Sequence, residues 1–127
     1  MKSFSHSFTV KASDLDVQGH VNNVTYLQWV QDVAVAHWLE VSSEEIRDRF
    51  TWVVIRHEID YKREAYEGDD IEARTWVGKR TKVTWDRHTE IRRGEDLIVK
   101  ARTVWCLLDR ERMRPAKISE EIESLLS

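Results

Sequence analysis

From Asn23 to Glu40 the chain runs without a glycine or a proline, and it opens on an asparagine pair suited to capping a helix. The polar positions of this segment are mainly Thr25, Gln28, Gln31 and Asp32. At about 100° per residue they form a stripe over roughly a third of a helix circumference. Tyr26, Leu27, Trp29, Val30, Val33, Ala34, Val35 and Trp38 fill the rest. A helix apolar over so much of its surface has to be wrapped by other elements, not merely laid on a flat sheet.

The flanking segments offer the wrapping. Phe4, His6, Phe8 and Val10 alternate with Ser5, Ser7 and Thr9, the pattern of a half-buried strand. After the long helix, Ser42 or Ser43 is placed to cap a short one, with Glu45 completing a capping box from Ser42. Four strand patterns follow: Thr51 to Tyr61, Ile71 to Val77, Lys82 to Arg92 and Leu97 to Leu108. In the first of them Val53, Ile55, Ile59 and Tyr61 are expected on one face. Gly68-Asp69-Asp70, Gly78 to Thr81 and Arg93-Gly94-Glu95-Asp96 read as the turns between them. Pro115 and Ser119 introduce a terminal helix ending in Leu125-Leu126. The order predicts a single α+β domain over residues 1–127, with an antiparallel sheet curling around one central helix.

Composition narrows the class. At 127 residues and 34% charged, with a net charge of −3, the chain reads as one ordinary globular domain with no global bias toward nucleic acid. Cys106 is the only cysteine, so a reducing, cytoplasmic setting is expected. No secretory signal and no membrane span are read in it. His6, His37 and His57 sit in strand or helix patterns without metal-ligand spacing, and no metal is expected. The six tryptophans bury a lot of area but say little about chemistry, and the Trp and Tyr residues of the long helix are expected in the core.

The chemistry concentrates in D-L-D-V-Q-G-H-V-N, residues 14 to 22, between the first strand and the long helix. Two carboxylates, Gly19, His20 and the Asn22-Asn23 pair converge where the helix dipole is positive. Such a site suits polarising a carbonyl while a carboxylate directs attack on it. Asp16 supplies that carboxylate, as nucleophile or as general base. Asp14 is read as a brace for the turn. Gly19 serves a tight turn and close backbone approach at once. His20 either moves a proton or fixes the turn. At Asn23 the functional group is the main-chain N–H.

Strand, turn, long buried helix and meander, with D-x-D-x-x-G-H-V-N-N at the turn, closely resemble the hotdog-fold thioesterases over nearly the whole chain. The similarity is to the 4-hydroxybenzoyl-CoA thioesterase-like group and its acyl-CoA and acyl-carrier-protein relatives. The stretch D-L-D-V-Q-G-H-V-N-N-V-T-Y-L-Q-W also resembles the matching part of plant acyl-carrier-protein thioesterases. The resemblance implies a single hotdog fold, a curved antiparallel sheet wrapped around one long central helix. It implies an acyl thioesterase that hydrolyses an acyl-CoA or acyl-carrier-protein thioester and needs no cofactor. Asp16 falls at the family's catalytic carboxylate, His20 at the plant subgroup's catalytic histidine, and Asn23 where a helix N–H meets the thioester carbonyl. Gly19, Asn22 and Tyr26 are implied at the substrate. Arg80 and Lys82, ahead of Arg87 and His88 in K-R-T-K-V-T-W-D-R-H, resemble a basic run that grips coenzyme A phosphates. A homodimer or homotetramer is implied, with the site at the interface and basic residues supplied across it. Two positions depart from the pattern: Gln18 stands where the plant subgroup has an assisting Asn, and Glu64 where the family commonly has proline. Two other readings remain at this stage: a non-catalytic acyl-CoA-binding domain, and a dehydratase or hydratase on the same fold.

Overall fold

The computed structural model describes residues 2–127. Strand β1 (Ser3–Thr9) leads through a single 3-10 turn, Ala12–Asp14, into the polar turn and then helix α1 (Asn23–Val41). A short helix α2 (Glu44–Arg49) precedes the strands β2 (Phe50–Tyr61), β3 (Asp70–Arg80), β4 (Thr84–Arg93) and β5 (Asp96–Asp109). A two-residue strand β6 (Arg114–Pro115) pairs with the end of β5, and helix α3 (Glu120–Leu126) closes the chain. The strand order is β1-β3-β4-β5-β2, and all of these pairings are antiparallel. This is the hotdog architecture: a curled antiparallel sheet around one long helix.

The core forms along α1 in two parts. Under its first half, Tyr26, Trp29, Val30 and Val33 pack with Val10, Ile71, Ala73, Ile91, Ile98 and Val99. Under its second half, Trp38 and Val41 meet Val77, Trp85, Leu107 and the α3 side chains Ile122 and Leu126. The wrapping expected for this helix is incomplete within one chain, because Val24, Val35 and Leu39 stay exposed.

Several local expectations are corrected. Ile55 is bulged out of the β2–β5 ladder, where the register jumps from Val54 opposite Trp105 to Arg56 opposite Val104. One extra residue reverses the alternation. Trp52 and Ile59 therefore pack on the core, while Val53 and Ile55 face outward and exposed, so the four residues expected on one β2 face are split. Gly78 is not a turn residue but lies within β3, and the β3–β4 turn comes later, between Arg80 and Thr84. A Cβ at Gly78 would sit 2.5 Å from His88 Nε2, so this glycine admits the neighbouring ring. Ser43, not Ser42, caps α2 by accepting the Ile46 N–H, and Ser42 ends α1. β6 carries no sequence pattern of its own, since two residues are too few to alternate.

Candidate active site

The turn at residues 14–22 is built almost wholly from its own hydrogen bonds. Asp14 Oδ2 accepts the Lys11 N–H at 2.9 Å, bracing the 3-10 turn, and the Asp14 carbonyl accepts the Asn22 N–H at 3.0 Å. The Asp16 N–H donates to the His20 carbonyl at 2.7 Å and the Gly19 N–H to the Asp16 carbonyl at 3.1 Å. Gly19 sits at φ +82, in the left-handed region that a residue with a Cβ rarely adopts. Oδ1 of Asp16 accepts the N–H groups of Gln18, at 2.9 Å, and His20, at 3.2 Å. Those two bonds fix the carboxylate's orientation, and among the described residues none is made to Oδ2.

Asn22 is the N-cap of α1, its side chain accepting the Val24 N–H at 2.9 Å. Asn23 is thus the first helical residue. Its N–H is one of those a helix leaves without an intrahelical acceptor, and among the described residues it has none from elsewhere. Asp16, Gln18, His20, Asn22 and Asn23 line one side of a cleft of about 510 Å³. Tyr61, Lys62, Arg63 and Glu64 line the other.

That second wall brings in a group that the turn motif does not contain. Glu64 Oε1 lies 3.3 Å from His20 Nδ1, and the Tyr66 hydroxyl donates to Glu64 Oε2 at 3.3 Å. The Tyr66 ring meets the His20 ring edge-on, with centroids 5.6 Å apart. The loop carrying Glu64 is itself held. Arg93 donates to the Glu64 carbonyl at 3.1 Å and to Asp69 at 2.7 Å. Tyr26, 2% exposed, receives the Ala65 N–H on its hydroxyl at 2.8 Å, and burial pushes its phenol pKa up. The chain position of Glu64 was the only sequence signal for it. An acid standing where a proline is common needs a reason, and the His20 contact supplies one.

The structure therefore gathers Asp16, Gly19, His20, Asn22, Asn23 and Tyr26 at one end of the sheet. It does not bring Arg80 and Lys82 to them. Both lie at the other end of β3, on the order of 30 Å along the strand at about 3.3 Å per residue. Arg80 pairs with Glu123 and lies over the Trp85 ring at 5.7 Å. Arg87, from the same basic run, is 6% exposed and points into the core, so it cannot grip a phosphate at the surface. Among the described residues no group of three or more His, Cys, Asp or Glu is placed to hold a metal ion. No described helix is long and apolar enough to cross a membrane.

Residues 1–126 match the family model of the acyl-ACP thioesterase N-terminal domain. The chain belongs to that family. It is 24% identical over 132 residues to a chloroplastic acyl-[acyl-carrier-protein] hydrolase of Cuphea viscosissima, covering 94% of this chain and 32% of that protein. The chain spans about a third of the length of such curated relatives. Among solved structures it resembles a predicted thioesterase from Bacillus stearothermophilus, with a TM-score of 0.85 and 26% identity over 98% of this chain and 94% of that one. The 1,4-dihydroxy-2-naphthoyl-CoA thioesterase from Synechocystis superposes with a TM-score of 0.84 at 18% identity, covering 98% and 95% of the two chains. This member of the acyl-ACP thioesterase N-terminal domain family thus shares its fold with those solved structures.

Proposed function

We propose that this chain hydrolyses an acyl thioester of coenzyme A or of acyl-carrier protein to the free acid and the thiol. The observation that carries the reading is Asp16: a carboxylate oriented by two backbone N–H groups through one oxygen, with no hydrogen bond to the other among the described residues, in the same cleft as the N–H at the start of α1, which has no acceptor among them. In this mechanism the thioester carbonyl accepts a hydrogen bond from the Asn23 N–H, where the helix dipole favours developing negative charge. Asp16 Oδ2 takes a proton from water as the water oxygen adds to the carbonyl carbon. The tetrahedral intermediate collapses and the C–S bond breaks, releasing the thiol. His20, held through Nδ1 by Glu64, delivers a proton to the departing sulfur. No cofactor takes part beyond the carrier that belongs to the substrate.

The working unit in this proposal is a homodimer formed through β2. That strand is a sheet edge and exposes Val53 and Ile55. Open edges and apolar surface of this kind are normally covered. The Tyr61 end of β2 lies at the Asp16 end of the molecule, and the Phe50 end lies at the Arg80 end. Antiparallel pairing of two β2 strands thus carries the partner's basic hairpin toward this Asp16, which fits a role for Arg80 and Lys82 at the carrier phosphates.

The test is thiol release from a panel of acyl-CoA esters and acyl-carrier-protein thioesters, aromatic, short and long, by the native chain and by Asp16→Asn. The expected result is turnover that falls about 10²- to 10⁴-fold in the variant. Stability should be kept, because an Asn oxygen can still accept the two turn N–H groups. Tight ester binding without release by the native chain would favour the non-catalytic reading. Equal release by both chains would remove Asp16 from the mechanism.

A further inference from the structure

A second cavity, of about 80 Å³, lies between the C-terminal half of α1 and the sheet, at the end opposite Asp16. Ala34, Trp38, Trp52, Trp85 and Trp105 form its apolar wall, and Arg87 is its one charged lining residue. Arg87 is held on one side only. Its Nη1 donates to His37 Nδ1 at 2.9 Å and to Thr75 Oγ1 at 3.2 Å, both neutral acceptors. Among the described residues no carboxylate pairs with it. Burial pushes its pKa down to about 10, so it remains a cation at neutral pH. The Nε1–H of Trp105 is buried and has no acceptor among the described residues. Buried donors are normally satisfied, and a buried guanidinium without an anion is the costlier exception. The group that satisfies both is an acceptor with negative charge and an apolar body. A carboxylate meets a guanidinium in a fork of two charge-assisted bonds, and its hydrocarbon part suits four indole rings.

We propose that this cavity binds the carboxylate of a short apolar acid, with Arg87 as its counter-ion and Trp105 Nε1–H as a second donor. The cavity is about half the ~150 Å³ that encloses benzene, so it takes the carboxylate end of a ligand whose remaining chain extends through the open mouth beside Val35. The carboxylate is that of a free acid.

Binding is measured on the native chain by tryptophan fluorescence, since four of the six tryptophans line the cavity. The ligands are hexanoate and its uncharged isostere hexanamide. Hexanoate should bind at least about tenfold tighter than the amide, and Arg87→Met should erase the difference. No saturable response to hexanoate, equal affinity for acid and amide, or a preference that survives Arg87→Met would overturn the proposal. Should Arg87→Met not fold, Val35→Trp at the exposed mouth closes the cavity. It should abolish hexanoate binding, and retained binding would equally overturn the site.

Discussion

Asp16 uses one carboxylate oxygen to hold its turn, and the proposed mechanism uses the other for chemistry and divides the His20 ring in a similar way. With Nδ1 facing Glu64 at 3.3 Å, Nε2 is the nitrogen left to meet a substrate. Glu64→Gln removes the charge while keeping an oxygen for that contact and leaving the main-chain bond to Arg93 intact. The expected outcome is a lower kcat with little change in KM, because Glu64 acts on His20 and makes no uniform binding contact. The loss should be smaller than that of Asp16→Asn. A rise in KM with unchanged kcat would place Glu64 in binding instead. The carboxylate, the histidine and the helix-start asparagines were legible because they follow one another in nine residues. The glutamate was not, because it enters from 44 residues downstream of His20 and only the docking of the 62–65 loop brings it there.

At the level of elements, α1 carries both the core and the candidate oxyanion donor, so its first turn has to be fixed. Asn22 does this by accepting the Val24 N–H. Asn22→Ala should cost about 1 kcal/mol of stability, read as a shifted urea midpoint at unchanged slope. Activity should fall as well, through a frayed Asn23 N–H. A neutral effect on both would mean that the turn alone holds the helix start. The extent of α1 follows from composition and periodicity, and Asn23–Val41 agrees closely with the Asn23 to Glu40 expected. The faces of β2 were not readable in the same way. A bulge adds one residue to one strand of a pair, and its position depends on the partner strand, so the sequence of β2 alone does not give it.

Across the whole molecule, two features outside the Asp16 turn bear on stability and on the proposed dimer. His37, 3% exposed and stacked on Phe4, has its pKa lowered to about 4, first by burial and then by the Arg87 charge and Lys2. An unfolded chain protonates this histidine near the ordinary value of 6.5. Between pH 6.5 and 4 the unfolded state therefore takes up a proton that the folded state refuses. Its contribution to stability is present in full above pH 6.5 and is lost as pH falls toward 4. The total is on the order of 3 kcal/mol at 1.36 kcal/mol per unit. Urea midpoints at pH 7 and pH 5 should fall less for His37→Gln than for the native chain, and an equal fall would exclude the histidine as the cause. The second feature is the β2 edge. Ile55→Asp puts a charge on its most exposed apolar side chain, and in sedimentation it should shift a native dimer to monomer with loss of turnover. A native chain that sediments as an active monomer would remove the dimer from the proposed mechanism.

By itself the sequence determined the central helix, its partner strands and the polar turn from Asp16 to Asn23, because helix and strand periodicity and turn chemistry are properties of neighbouring residues. Only the tertiary structure decided that Glu64 faces His20, that Arg87 turns inward to His37 while Arg80 stays at the surface, and that Ile55 lies outside the core. Each of these depends on register, a bulge or loop closure, which are set when distant segments pack and their desolvation and hydrogen bonding are satisfied together.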